Sequence, residues 1–254
     1  MTKLADIVTF LDGLLQPPPG LADSSNNGLQ VEGARDVRRV VFGVDACAAL
    51  FEAAAEHDAQ LVIVHHGMSW GPSFRRLQGV TARRLDTLFK NGISLYASHL
   101  PLDLHPEVGH NARLAALLGL TDTVPFHEYG GVPIGVAGQL PQALTLPELR
   151  DRINGLLQTE CVLFPGHADR IRRLGIVSGG AGDAAEDAAR AGCDALLTGE
   201  ITHSHYHYFR ETGLTGIAAG HYRTEIPGLT AVMDRLAAAF PGLPCEWIDL
   251  PTGL

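Results

Sequence analysis

The sequence predicts an α/β protein built from two similar lobes, and three observations carry that prediction. Short β-branched runs alternate with Ala- and Leu-rich stretches of helical spacing, the βαβ pattern of a parallel sheet covered by helices. The alternation occurs twice, once in each half of the chain. With 46% hydrophobic and 19% charged residues over 254 positions, the apolar surface suffices for a sizeable core, so disorder is excluded as the dominant state.

Leu4 to Leu15 places Leu4, Ile7, Val8, Leu11, Leu14 and Leu15 at helical spacing and stops at Pro17-Pro18-Pro19-Gly20. Arg39 to Val44 then reads as a strand, Ala46 to His57 as a helix, and Leu61 to Val64 as a strand ending at His65 and His66. Arg84 to Asn91 is the next helix, capped by Gly92, and Ile93 to Ala97 the next strand, ending at Ser98 and His99. In the second half, Arg173–Val177, Asp183–Ala191 and Ala195–Thr198 repeat strand, helix, strand, with Gly199 and Glu200 at the end, and Gly213–Ala219 adds a further strand.

A shift of 134 residues lays Leu61–Val64 over Ala195–Thr198 and His66 over Glu200, and one of 122 lays His99-x-x-x-Asp103 over His221-x-x-x-Glu225. The expected lobes are therefore residues 1–125 and 126–254, related by an approximate pseudo-two-fold axis. Thr121–Pro141 reads as linker plus strands, Leu146–Leu157 and Val232–Phe240 as helices, and Glu246–Leu250 as a closing strand that packs back on the first lobe.

Charge and cysteine usage narrow the function. The net charge of −9, from 28 acidic and 19 basic residues, argues against a broad footprint for nucleic acid or anionic lipid. No apolar run approaches the roughly 18 to 20 residues that cross a bilayer, and the first helix carries Asp6 and Asp12, so a soluble cytoplasmic protein is expected. Cys47, Cys161, Cys193 and Cys245 form no C-x-x-C pair and read as small hydrophobes. Twelve histidines beside many carboxylates suit hard or borderline divalent metals instead of thiolate sites.

Ligands of open parallel sheets gather outside the carboxyl ends of the strands, where each polar cluster of this chain falls. In His65-His66-Gly67, two imidazoles just past a strand end can converge on a metal if the glycine lets the chain turn; the alternative is a pair of solvated loop histidines. His99-Leu-Pro-Leu-Asp103 is expected on a non-helical turn stiffened by Pro101, with Asp103 either a ligand or a turn cap. His221-Tyr-Arg-Thr-Glu225, as one helical turn, puts His221 and Glu225 on one face. His203, His205 and His207 begin a helix in which alternate residues do not share a face, leaving His207 a candidate for the site against a surface reading. Arg75, Arg76, Arg83 and Arg84 are candidate phosphate contacts or a solvated basic helix face.

Together, Asn27-Gly-Leu-Gln-Val31, Val62-Ile-Val-His-His-Gly67, His99-Leu-Pro-Leu-Asp103, Leu197-Thr-Gly-Glu200 and Ala219-Gly-His-Tyr-Arg-Thr-Glu225 make a pattern. It resembles the GTP cyclohydrolase 1 type 2 homologue family, the NIF-three-like dinuclear-metal proteins, in order from about Asn27 to Pro251. The resemblance implies two intertwined lobes in three α/β/α layers and a ring-shaped homohexamer. It also implies two divalent ions per subunit, iron, manganese or zinc, held between the lobes by His65, His66, Asp103, His221 and Glu225. Glu225 would bridge, with Asp103 and His66 on one ion and His65 and His221 on the other. His99, His207 and Glu200 would transfer protons or support the ligands.

The functional expectation is a metal-dependent hydrolase that activates water against a small-molecule substrate, a nucleotide or a relative of one. If the substrate were GTP, water would add at C8 of the purine, the imidazole ring would open and formate would leave. The rival reading is a non-catalytic metal carrier, insertion factor or adaptor scaffold.

Overall fold

A computed structural model describes residues 1–254, and these divide into two compact units, Met1–Leu102 with Leu229–Leu250 and Asp103–Gly228 with Pro251–Leu254. The division falls at Leu102/Asp103 and not at 125/126. Thr121–Tyr129 is no linker but a strand of the second unit's sheet, which assigns Asp103 to the second unit and the last long helix largely to the first.

In the first unit, β1 (Thr2–Lys3) leads into α1 (Leu4–Leu14), followed by β2 (Gly28–Val31), β3 (Asp36–Val37), β4 (Val40–Asp45), α2 (Ala48–Glu56), β5 (Leu61–His66), α3 (Gly79–Lys90) and β6 (Ser94–Ala97). The short turn α4 (Leu100–Asp103) closes this segment. The second unit holds α5 (His110–Leu117), β7 (Thr121–Tyr129), β8 (Val132–Leu144), α6 (Leu146–Leu157), β9 (Val162–Phe164), β10 (Ile171–Val177), α7 (Ala185–Arg190), β11 (Ala195–Thr198), α8 (Tyr206–Thr212), β12 (Thr215–Ala218) and α9 (His221–Thr224). α10 (Ile226–Ala239) carries the chain back to the first unit, where β13 (Cys245–Trp247) ends the sheet.

The first unit's five-stranded sheet runs β13-β4-β5-β6-β2, with β13, β4, β5 and β6 parallel and β2 antiparallel at the edge. The second unit's six strands run β7-β8-β10-β11-β12-β9, with β10, β11 and β12 parallel and antiparallel strands on both sides. Each unit is thus organised around one βαβαβ core, β4-α2-β5-α3-β6 and β10-α7-β11-α8-β12, which is the repeat legible in the sequence.

Burial explains the runs. The parallel strands are covered on both faces, so Val40–Val44 and Leu61–His65 are buried without alternation. On one side of the first sheet, Leu50, Phe51 and Ala54 of α2 and Leu85 and Leu88 of α3 pack on Val41, Val62, Val64 and Leu95. In the second unit, Leu114 of α5, Leu118 just past its end, and Leu149, Ile153 and Leu157 of α6 pack on Leu174, Ile176, Leu197 and Ile217. Each such fully buried side chain contributes roughly 1.5 to 3 kcal/mol. α6 begins where Thr145 and Glu148 form a reciprocal capping box with Pro147 in the first turn. No helix is long and apolar enough to cross a membrane.

Candidate functional site

In the first unit, β5 runs on through His65 and His66 and does not stop before them, because His66 still pairs in register with Asp45 of β4. The two rings nevertheless lie side by side, with centroids 4.6 Å apart. Gly67 does not supply the convergence through an unusual φ. It is required because a Cβ there would sit 2.4 Å from the Gln30 amide and 2.6 Å from Ala97 Cβ.

His65 is fully buried, and its Nδ1 donates to the carbonyl of Ser98, just past β6, at 2.9 Å. Nδ1 of His66 donates to Asp45 Oδ1 at 2.8 Å. His99 follows β6 and its Nδ1 donates to Asp23 Oδ1 at 2.9 Å, while its backbone N–H donates to Asn27 Oδ1 at 2.8 Å. In the neutral imidazole, a donating Nδ1 makes Nε2 the lone-pair nitrogen, so these acceptors choose the tautomer and the direction of each ring. The ligand-capable nitrogens of His65, His66 and His99 lie within 4.8 Å of one another, close enough to share a metal ion.

Two parts of the chain, β2 and the loop before it, build this corner, and sequence reasoning assigned them no role. Gln30 Oε1 accepts from the amides of Met68 (2.7 Å) and Ser69 (3.0 Å), and its Nε2 donates to the Asn26 and Ser69 carbonyls. Asp23 accepts from Ser25 N, Asn27 Nδ2, His99 Nδ1 and Leu100 N. The first segment of the Asn27-Gly-Leu-Gln-Val31 motif is therefore a rack for the two histidine loops. Trp70 closes the corner, its indole N–H on the Gly67 carbonyl at 2.8 Å and its ring centroid 5.0 Å from that of His99.

In the second unit, Gly220 leads into the single turn α9, and Glu225 follows it, so His221 and Glu225 do share a face: His221 Nε2 is 3.1 Å from Glu225 Oε1. Nδ1 of His221 donates to Glu200 Oε1 at 2.6 Å. Burial works to lower the His221 pKa, but the hydrogen bonds and charges of Glu225 and Glu200 outweigh it and push the ring up to about 9. Asp103 is buried and accepts from Ser178 Oγ at 3.0 Å. Its segment corrects the sequence reading, since Leu100–Asp103 is a helical turn, with Pro101 in the first positions where a missing N–H costs nothing.

Gly179 ties these groups together. At φ +69°, it follows Ser178, gives its N–H to Thr224 Oγ1 and takes the amides of Gly199 and Glu200 on its carbonyl. A Cβ at this position would lie 2.6 Å from Glu225 Oε1 and 3.3 Å from His221 Nε2. The side chains of Asp103, His221 and Glu225 thus gather about one strand end, with a glycine cradle beneath two of them, and their carboxylate and imidazole donors suit a divalent ion.

Other candidates lie apart. His207 is exposed on α8, edge-on to Tyr206 at 5.4 Å, and belongs to no cluster of ligand-capable side chains. His203 is exposed and His205 Nδ1 lies 3.0 Å from Thr202 Oγ1. Arg75, Arg76 and Arg83 are solvent-exposed and Arg84 is half-buried on α3. Of the cysteines only Cys193 is buried, but burial pushes the Cys161 and Cys245 thiols up to about 11, which removes them as nucleophiles at neutral pH.

A model of the Duf34/NIF3 (NGG1p interacting factor 3) family matches residues 2–252. A protein of Deinococcus radiodurans named GTP cyclohydrolase 1 type 2 homolog is 43% identical over 232 residues, 91% of this chain and 88% of that one. A protein of the same name from Pyrococcus horikoshii is 43% identical over 250 residues, 98% of each chain. Among solved structures, protein ybgI, described as of unknown function, matches with a TM-score of 0.91 at 35% identity over the whole of both chains. TTHA1606 from Thermus thermophilus matches with a TM-score of 0.89 at 42% identity, again over both whole chains.

Proposed function

The chain belongs to the Duf34/NIF3 family, and from that membership we propose that it is a metal-dependent hydrolase of a nucleotide or related small molecule. In this reading His65, His66, Asp103, His221 and Glu225 would hold two divalent ions. The observation that carries it is common to both units: His65, His66 and His221 each donate Nδ1 to an oxygen, from Ser98, Asp45 and Glu200, which leaves Nε2 as the coordinating atom of His65 and His66, and of His221 once its second proton has left. When bound, the ions supply Lewis acidity and lower the pKa of water.

The protein's own groups do the rest. Asp45 and Glu200 orient His66 and His221 and raise their basicity as ligands. His99, backed by the Asp23 carboxylate, is the group suited to move a proton, since its Nδ1 is anchored and Nε2 can take and return one. Glu200 is an orienting group by its position on His221 Nδ1. The burial of His65, Asp103 and Glu225 favours resident ions over the exchangeable ions of a carrier.

The test is to measure metal per chain after loading, then turnover of GTP and a panel of phosphoesters before and after chelation. About two ions per chain and turnover that disappears with them is the expected result. Fewer than one ion, or metal binding that survives His65→Ala combined with Glu225→Ala, overturns the metal assignment, and a metal-replete protein without turnover favours the carrier or scaffold. A homohexameric ring belongs to the same proposal and is read from the mass in solution by light scattering.

A further inference from the structure

Leu197-Thr-Gly-Glu200 and Ala219-Gly-His-Tyr-Arg-Thr-Glu225 each carry a threonine, Thr198 and Thr224, to which the metal chemistry assigns no part. Both are fully buried in the second unit. Thr198 is the last residue of β11, and Thr224 is the last of α9, next to Glu225. A buried hydroxyl needs partners, and both of these find them in one loop, Gly179 to Ala181, just past β10.

Thr224 Oγ1 accepts the Gly179 N–H at 3.0 Å and has the carbonyls of Gly220 (3.0 Å) and His221 (2.9 Å) as acceptors for its proton. Thr198 Oγ1 accepts the Ala181 N–H at 3.2 Å and donates to the Gly179 carbonyl at 3.0 Å. One hydroxyl therefore holds the N–H of Gly179 and the other its C=O, where the amides of Gly199 and Glu200 join it. Gly199 allows this close approach, since a Cβ there would stand 2.6 Å from the Gly179 carbonyl oxygen and 2.8 Å from Thr224 Oγ1.

Gly179 has no side chain to anchor it, and its φ of +69° lies in the left-handed region, so its backbone bonds alone fix where it stands. Its Cβ position is 2.6 Å from Glu225 Oε1 and 3.3 Å from His221 Nε2. The two hydroxyls thus tie the floor of the cradle to the ends of β11 and α9.

We propose that Thr198 and Thr224 are positioning residues, a pair of hydroxyl latches that hold the Gly179 loop beneath His221 and Glu225 and thereby set metal affinity. The inference rests on the reading of His221 and Glu225 as ligands. Groups that hold ligands in place tune affinity, by about 10- to 100-fold, and leave the number of ions unchanged. Valine keeps the branched shape of threonine but orphans a buried donor, the Gly179 N–H in Thr224→Val and the Ala181 N–H in Thr198→Val.

The experiment uses the full chain with zinc as the probe ion, in competition with a chelator. Thr224→Val and Thr198→Val should each weaken zinc binding about 10- to 100-fold at unchanged ions per chain. Thr224→Ser and Thr198→Ser keep the hydroxyl and should bind as the parent does. Should a valine variant fail to fold, the parent itself supplies the measurement: zinc should slow hydrogen exchange at the Gly179 and Ala181 amides, because a latch that raises metal affinity is stabilised by metal in return.

Folded valine variants that bind zinc as tightly as the parent overturn the proposal, even if they are less stable, and so do serine variants that fail to restore affinity. Exchange at the two amides that zinc leaves unchanged overturns it as well. In each of these outcomes the parent still binds zinc and the metal-dependent reading stands. A parent that takes up no zinc, iron or manganese removes that reading, and the proposal with it.

Discussion

Replacing Asp23 by Asn changes one atom and should cost far more than an ordinary isosteric swap. Each oxygen of Asp23 accepts two donors: Oδ1 takes Ser25 N and His99 Nδ1, both at 2.9 Å, and Oδ2 takes Asn27 Nδ2 at 2.9 Å and Leu100 N at 3.1 Å. The side chain is only 5% exposed, so water cannot substitute. An Asn amide has one acceptor, and whichever way it flips, its NH2 faces two N–H groups. Two charge-assisted bonds worth roughly 1.5 to 3 kcal/mol each are lost, giving about 3 to 6 kcal/mol at pH 7, a large part of the roughly 5 to 15 kcal/mol that holds a typical domain.

Urea unfolding of the metal-free protein measures this loss, and its pH dependence provides a second check. Burial raises the Asp23 pKa, but the hydrogen bonds from His99, Asn27 and Ser25 win and hold it below the ordinary 3.8. A carboxylate depressed on folding contributes stability above its unfolded pKa and loses it as pH falls through the folded one. The gap between parent and Asp23→Asn should therefore be full at neutral pH and narrow below pH 3.8. A loss under about 1 kcal/mol, or a gap that stays constant into acid, would refute the reasoning.

Three further perturbations probe the same corners. Gln30→Ala removes the acceptor of the Met68 and Ser69 amides and should cost about 2 to 4 kcal/mol, with faster hydrogen exchange at those two amides as its signature. Gly179→Ala combines a strained φ of +69° with a Cβ 2.6 Å from Glu225 Oε1, so it should abolish metal uptake and lower the melting temperature well beyond Gly192→Ala. Gly192 has the same φ with nothing within 4 Å and should cost only about 1 kcal/mol, so equal effects of the two would show that the cradle does not matter. His221, raised to about 9, stabilises the metal-free fold fully below its unfolded value of 6.5 and loses that contribution as pH rises through 9. Metal uptake at pH 7 should accordingly release a proton from His221, and calorimetry in buffers of different ionisation enthalpy should detect it; no release would contradict the assignment of Nε2 as the ligand atom.

The elements are legible because their signals are local. Leu146–Leu157 carries its cap, proline and apolar period within one stretch and forms a helix with those bounds. The repeated strand-helix-strand order likewise marks both βαβαβ cores. Boundaries shift where a neighbour decides them: β5 extends through His66 because β4 offers Asp45 as a pairing partner, and α10 starts at Ile226, six residues before the apolar period suggests. Thr121–Pro141 reads as linker plus strands because its Gly and Pro content masks how far its two strands run, their pairing lying across a hairpin.

The residue types of the candidate site are likewise set by sequence alone: histidines and carboxylates at strand ends, in the order of a known family. What only tertiary structure decided is which nitrogen each histidine presents. Asp45 lies 21 residues from His66, Asp23 76 from His99, Glu200 21 from His221 and Gly228 118 from His110. A tautomer is chosen by the atom that meets the ring in space, and no spacing along the chain encodes it. By that choice Nδ1 is the donating nitrogen of His65, His66, His99 and His221 and the accepting nitrogen of His110.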